Sequence, residues 1–313
     1  MKILIELPTW LGDTVMATPA IENIVNFYND AEITFIGSFV SIEALKNHPK
    51  VIKKLVLDKK YTSLYKISRD LGSFDAFFSF RSSARSKFFK FLISAKKKHQ
   101  FDKNKNKNKN KYQNRHQVEK YNDFINDSLA TNSAAGKLKI YGHNNIKSKR
   151  KVLGINPGAS YGSAKRWYPK EFAKVASELS NRYDIIIFGG LGEKNIAADI
   201  EKSLVELGVK NYHNLAGKTT IKDLINRISN LDLFITGDSG PMHIAAAFQV
   251  PTVAIFGPTK DNETSQWMNE KSIIVKKNLD CQPCMRRTCP LQHHDCMNFI
   301  KAVDVLNAVK SCD

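Results

Sequence analysis

The sequence predicts an α/β chain made of two doubly wound units, each a parallel sheet wrapped by helices. Three observations carry this expectation. Short apolar runs alternate with segments whose apolar residues recur at helical spacing, the pattern of strand–helix crossovers. The alternation stops in a polar stretch at 131–150 and then restarts. Finally, 313 residues with 42% hydrophobic content exceed one ordinary domain and can fill two cores. The expected domains are residues 1–150 and 151–313, with ligands in a cleft at the carboxyl ends of strands from both.

In the first unit, Lys2 to Leu7 reads as a short buried strand. Thr14 to Tyr28 reads as one helix, with Val15, Ala17, Ile21, Ile24, Val25 and Tyr28 at helical spacing. Glu32 to Gly37, Val51 to Leu57 and Asp75 to Ser79 follow as strands, with helices at Ile42 to Leu45 and Ser63 to Leu71 between them. In the second unit the strands are Val152 to Asn156, Asp184 to Gly189, Tyr212 to Leu215, Leu233 to Thr236 and Thr252 to Phe256. Helices are expected at Pro169 to Asn181, Ile196 to Leu207, Ile221 to Asn230 and His243 to Phe248.

Composition bounds the function. No run of about 20 apolar residues occurs, and Met1-Lys2-Ile3-Leu4-Ile5-Glu6 meets a charge too early for a signal peptide, so a cytoplasmic protein is expected. The formal net charge is +18, and most of it lies in residues 1–150, where 28 Lys and Arg face 13 Asp and Glu. Part of the excess is the Lys-Asn alternation from Lys103 to Lys111, which has no apolar periodicity and reads as a flexible loop near 102–115 or a compositional bias without a role. The remainder includes Arg81, Arg85, Lys87, Lys90 and Lys96 to Lys98 around Phe88-Phe89 and Phe91-Leu92-Ile93. Such a segment suits an anionic membrane surface or a phosphorylated acceptor, and equally the wet face of an ordinary core-facing helix. Nucleic acid is not an expected partner, because no recognition motif accompanies the charge.

The candidate site residues stand at strand ends. After Leu233-Phe234-Ile235-Thr236, the turn Gly237-Asp238-Ser239-Gly240-Pro241 opens a helix near Met242-His243. A helix N-terminus built of small residues lets backbone N–H groups approach an anion, and Pro241 suits its first turn. The alternative is that Asp238 or Ser239 caps the helix. Asn156-Pro157-Gly158-Ala159-Ser160 ends another strand, and Lys165, Arg166 and Trp167 follow; Lys165 either neutralises a diphosphate or is a surface lysine. Glu193, in Gly189-Gly190-Leu191-Gly192-Glu193, could take a ribose hydroxyl pair or do nothing. As a dinucleotide fingerprint that segment lacks the third glycine, which disfavours a nicotinamide dehydrogenase. Asp13 ends the turn after the first strand, as a general base or as the N-cap of the helix that follows. Cys281-x2-Cys284-x4-Cys289-x6-Cys296, with His293 and His294, has spacing that permits structural zinc, and four reduced thiols are the alternative.

Three ordered motifs then carry a resemblance: Pro8-Thr9-Trp10-Leu11-Gly12-Asp13-Thr14-Val15-Met16-Ala17-Thr18-Pro19; Asn156-Pro157-Gly158-Ala159 with Lys165-Arg166-Trp167; and Thr236-Gly237-Asp238-Ser239-Gly240-Pro241-Met242-His243-Ile244-Ala245-Ala246-Ala247. Together they resemble the lipopolysaccharide heptosyltransferases of glycosyltransferase family 9, most closely their type II group, from residue 1 to about 310. The resemblance implies a GT-B fold of two Rossmann-like domains, the first binding an anionic lipid A–core acceptor and the second ADP-heptose. It implies inverting transfer of L-glycero-D-manno-heptose to the inner core, the first heptose being the expected acceptor. Another core position, or a sugar-nucleotide epimerase of the same architecture, is the alternative. By the same resemblance Asp13 is the base and Lys165 stabilises the leaving diphosphate. The donor set is Pro157, Gly158, Ala159, Ser160, Glu193, Ala216, Gly217, Asp238, Ser239, Gly240 and His243. Trp10, Gly12, Arg81 and Arg85 form the acceptor set. No metal or cofactor is required for the chemistry, and the enzyme is expected at the inner face of the cytoplasmic membrane. Similar cysteines occur in the type II group, so zinc is left open and no metal site is assigned.

Overall fold

The computed structural model describes residues 1–58, 60–102, 114–144 and 148–312, so nearly all of the expected Lys-Asn loop lies outside the described residues. The chain divides into two compact units, Met1–Gly142 and His143–Asp313. The division falls ahead of residue 150 because His143 and Asn144 already pack on the second unit. Asn230 Nδ2 donates to Asn144 O at 2.7 Å, and the His143 ring lies 4.5 Å from that of Phe248.

In the first unit β1 (Lys2–Glu6), β2 (Glu32–Gly37), β3 (Val51–Val56), β4 (Ser73–Ser79) and β5 (Ser94–Gln100) form a parallel sheet in the order β3-β2-β1-β4-β5. Ile5 is in register with Phe35 on one side and Phe78 on the other, and all three are fully buried. Strands covered on both faces read as unbroken apolar runs, which is why the inner strands are visible in the sequence. β5 is not, because Lys96, Lys97 and Lys98 belong to an edge strand, where lysines deter further pairing. The helices are α1 (Leu11–Met16), α2 (Thr18–Phe27), α3 (Phe39–Leu45), α4 (Tyr61–Asp70), α5 (Ala84–Leu92) and α6 (Gln117–Leu129). On α5, Phe89 is buried while Phe88 and Phe91 are 40% and 80% exposed, so its apolar face is only partly turned to the core.

The single helix expected from Thr14 to Tyr28 is two. Pro19 has no N–H to give to the carbonyl of Val15, and the Thr18 hydroxyl supplies the missing donor at 2.7 Å. The chain turns there, and α1 starts at Leu11, earlier than expected. The segment leading to Gly142 straps α2. Lys139 N–H donates to Thr18 Oγ1 at 2.9 Å, Tyr141 donates to Glu22, and Leu138 and Ile140 are buried.

In the second unit β6 (Lys151–Asn156), β7 (Tyr183–Ile187), β8 (Tyr212–Asn214), β9 (Leu233–Gly237), β10 (Thr252–Ile255) and β11 (Ser272–Val275) form a parallel sheet in the order β11-β10-β9-β6-β7-β8. Leu153, Ile155, Ile185, Ile187, Leu233, Ile235, Val253 and Ile255 build its core with Trp167 and Phe172. The helices are α7 (Pro169–Leu179), α8 (Lys194–Glu206), α9 (Ile221–Ile228), α10 (Gly240–Ala247), α11 (Asp261–Thr264), α12 (Asp295–Asn298) and α13 (Ala302–Lys310). Strand order reverses at β6, which has β7 on one side and β9 on the other. The loops after β6 and β9 therefore flank a topological switch point, where doubly wound sheets bind ligands; β1, between β2 and β4, plays that part in the first unit. Among the described residues no helix is long and apolar enough to cross a membrane.

Candidate functional site

At the switch point of the second unit Asn156, the last residue of β6, is in register with Thr236 of β9. Its Nδ2 donates to Ser239 Oγ at 3.2 Å and to Gly158 O at 3.3 Å, and Thr236 Oγ1 lies 3.1 Å from Ser239 Oγ. Ser239 occupies the N-cap position of α10, yet among the described residues no side chain caps the helix. Its hydroxyl is drawn back toward the strands. Asp238 does not cap α10 either. Its carboxylate pairs with Lys165 Nζ and accepts the Thr259 hydroxyl at 2.7 Å, with only 6% of its side chain exposed. The ordinary capping explanation of this turn thus fails, and backbone N–H groups at the positive end of a helix are left without a side-chain acceptor. Gly240 and Pro241 open α10, and His243 is buried within it.

Lys165 ends a short 3-10 turn, Ser163–Lys165, in the loop after β6. The Lys165 carbonyl packs on Gly237, where an added Cβ would meet it at 3.2 Å. Along the same edge Gly158 lies against Glu193: a Cβ there would overlap the carboxyl carbon and both oxygens. Glu193 Oε2 accepts the Gly190 N–H at 2.7 Å. Gly217, in the left-handed region at φ 70°, donates its N–H to Gly189 O at 2.8 Å, and a Cβ on Gly189 would meet Ala216 Cβ at 3.2 Å. Pro157 to Ser160, Lys165, Glu193, Ala216, Gly217 and Asp238 to Gly240 thus share the carboxyl edge of one sheet.

In the first unit Asp13 lies inside the first turn of α1, and Trp10 holds the N-cap position, which corrects the N-cap alternative for Asp13. The turn before it is fixed by hydroxyls: Thr14 Oγ1 donates to Trp10 O at 2.9 Å, and Ser38 Oγ donates to Thr9 O at 2.9 Å. Burial and the Asp13 carboxylate push the Tyr121 phenol of α6 well above its ordinary pKa, and the Tyr121 ring packs against Phe80 and Phe101. Trp10 is 59% exposed, and Gly12 is half-buried. Arg81 Nη1 lies 3.4 Å from Glu6 Oε1, and Glu6 is fully buried at the end of β1, where Ser79 donates to its other oxygen at 2.6 Å. Arg85 donates to Asp58 O. Both arginines are therefore engaged within the unit, which their sequence positions did not reveal.

The cysteine loop serves the Lys165 loop. Cys281, Cys284, Cys289, Cys296, His293 and His294 line one small cavity with Ala164 and Pro258. All four thiols are free, and among the described residues no group of three His, Cys, Asp or Glu side chains is arranged to hold a metal. Burial and the other three cysteines push the Cys296 thiol up to about 11, so it is protonated at neutral pH. Both His294 nitrogens are occupied, Nδ1 by the Tyr168 hydroxyl at 3.2 Å and Nε2 at 2.9 Å from the Ala164 carbonyl. Sequence reasoning missed Asn156 as the residue that holds Ser239, Thr259 as a partner of Asp238, and Glu6 as a buried acid. For Asn156 and Glu6 a polar residue ending an apolar strand was the available signal.

A family model described as glycosyltransferase family 9 (heptosyltransferase) matches residues 65–294. Lipooligosaccharide heptosyltransferase 2 of Campylobacter jejuni is 44% identical over 321 residues, covering 99% of this chain and 98% of the relative. Among solved structures, Escherichia coli ADP-heptose LPS heptosyltransferase II superposes with a TM-score of 0.82 at 20% identity, covering 100% of this chain and 98% of that one. A family 9 glycosyl transferase from Veillonella parvula gives 0.81 at 19% identity, covering 99% and 96%. These structures bear out the expected two-domain α/β GT-B fold. On the family match and the full-length relative, this chain belongs to glycosyltransferase family 9, the heptosyltransferases.

Proposed function

We propose that this chain transfers L-glycero-D-manno-heptose from ADP-heptose, with inversion, to the first heptose of a lipopolysaccharide or lipooligosaccharide inner core. The observation that carries the donor half is the uncapped N-terminus of α10 beside the Lys165–Asp238 pair at the β6/β9 switch point. The heptosyltransferase 2 relative and the name of the E. coli structure support the sugar, the nucleotide and the type.

In the proposed step the Asp13 carboxylate takes the proton of the acceptor hydroxyl while that oxygen bonds to the anomeric carbon. The bond from this carbon to the β-phosphate oxygen breaks, its electron pair stays on the phosphate, and ADP leaves. Asp13 suits the task as a carboxylate in the first turn of α1, just past the end of β1. The α10 N–H groups and Lys165 stabilise the charge that grows on the diphosphate, which electrostatic preorganisation does without a metal ion. Glu193 takes the ribose hydroxyls, and the Ala216-Gly217 turn completes the nucleotide seat. The first unit binds the anionic acceptor through Trp10, Gly12, Arg81 and Arg85, in keeping with the excess of Lys and Arg in residues 1–150. Exposed Phe88 and Phe91 with Lys87 suit the inner face of the cytoplasmic membrane, where the acceptor lies.

The test is incubation with ADP-heptose and a panel of truncated core acceptors, read by mass spectrometry of the lipid product. One added heptose on the acceptor carrying a single heptose is expected, and no product on any acceptor refutes the proposal. Asp13→Ala should abolish transfer and leave ADP binding nearly intact; unchanged turnover removes Asp13 from the mechanism.

A further inference from the structure

Lys165 shares an aromatic neighbour with a second cation. Lys165 Nζ lies 4.6 Å from the centroid of the Tyr161 ring, and the guanidinium carbon of Arg287 lies 5.4 Å from it. The ring is fixed, because its hydroxyl donates to Met285 O at 2.7 Å. Arg287 is fixed through its backbone: its carbonyl accepts the Ala164 N–H at 3.0 Å and fills the space that Gly162 leaves by having no side chain. His294 adds a further bond to the Ala164 carbonyl at 2.9 Å. The loop that carries Arg287 is therefore seated on the loop that carries Lys165. The Arg287 side chain itself is exposed, and among the described residues it is paired with no carboxylate.

Charge balance gives this arrangement a consequence. Lys165 is held by the buried carboxylate of Asp238, so that pair adds no net charge. The end of α10 supplies roughly half a positive charge. Both phosphates of a nucleotide-sugar diphosphate are ionised at neutral pH, and a further negative charge develops on the one that leaves. The site needs another cation, and Arg287 shares the Tyr161 ring with Lys165.

We propose that Arg287 contacts the diphosphate of the nucleotide-sugar donor and stabilises it as it leaves. A planar guanidinium can take two phosphate oxygens at once, whereas an ammonium acts as a point charge. This inference rests on the assignment of the donor to the α10 turn.

The test is isothermal titration calorimetry of ADP and AMP with the full chain, as wild type, Arg287→Ala and Arg287→Lys. Removing a charge-assisted contact should weaken ADP binding about tenfold or more in R287A. AMP, which lacks the β-phosphate, should change by less than about twofold, and R287K should recover part of the ADP affinity. Because the backbone carbonyl seats the loop, both variants keep its hydrogen bond to Ala164 N–H. Unchanged ADP binding in R287A overturns the inference, as does an equal loss for ADP and AMP. Failure of the wild type to bind ADP overturns the donor assignment as well, whereas wild-type binding that R287A preserves overturns the Arg287 inference alone.

Discussion

Gly158→Ala is the sharpest perturbation of the donor edge. The glycine is outside the left-handed region, so alanine adds no backbone strain there, and its whole effect is the methyl group. That methyl would occupy the space of the Glu193 carboxyl group, and Glu193 must swing away. Moving it breaks the hydrogen bond from Gly190 N–H at 2.7 Å, a bond to a charged acceptor worth about 1.5–3 kcal/mol. The same displacement withdraws the carboxylate from the ribose that we propose it takes, so ADP should bind roughly tenfold to a hundredfold more weakly. Calorimetric titration with ADP and a thermal melt measure the two effects. Glu193→Ala removes the atoms that the methyl strikes, so in that background G158A should cost little more, and the two substitutions should be far from additive. Wild-type ADP affinity in G158A, or strictly additive losses in the double variant, would refute the geometry.

Asp238→Asn removes the counter-charge of a lysine side chain that is 12% exposed, and breaking such a pair costs about 3–5 kcal/mol. Bound ADP then supplies negative charge, so the rise in Tm on adding ADP should be larger in D238N than in the wild type; an equal or smaller rise contradicts the pairing. Burial opposes ionisation of Glu22, but hydrogen bonds from His48, Lys139 and Tyr141 outweigh it and hold the pKa below the ordinary 4.5. A depressed carboxylate stabilises the fold above its unfolded pKa and loses that contribution as pH falls through the folded value. The wild-type Tm should therefore fall more steeply than that of Glu22→Gln below pH 4.5, and parallel melting curves in acid would exclude the linkage.

The inner strands were legible because burial on both faces leaves no polar residues to interrupt Ile3-Leu4-Ile5 or Leu233-Phe234-Ile235. The edges were not. β5 is selected by solvent and by avoidance of further pairing, so its lysines read as a charged segment rather than as a strand. The break between α1 and α2 was written in Pro19, yet the apolar period runs through it, and the period prevailed over the missing donor. At the site, turns whose residues adjoin in sequence were legible as chemistry, since Gly, Pro, Ser and Asp state their local use. Contacts made by distant loops were not. Nothing local marks Arg287 as the neighbour of Tyr161, or Glu6 as the buried partner of Arg81.

Other helices of the chain show what the α10 turn forgoes. Ser38 caps α3, Ser83 caps α5 and Thr220 caps α9, each accepting a backbone N–H of the first turn. Ser239 has the same chemistry at the same position and does not cap, because Asn156 and Thr236 hold its hydroxyl. A missing cap costs about 1 kcal/mol, and local rules are broken at functional positions more often than elsewhere. The cost would be recovered when an anion takes the N–H groups that the hydroxyl leaves. Asn156 is then the residue that keeps the turn open, and its position at the end of β6, in register with Thr236, ties that state to the switch point of the sheet. Ligand-free and ligand-bound turns need differ by no backbone movement, which suits a site that must stabilise charge as a bond breaks.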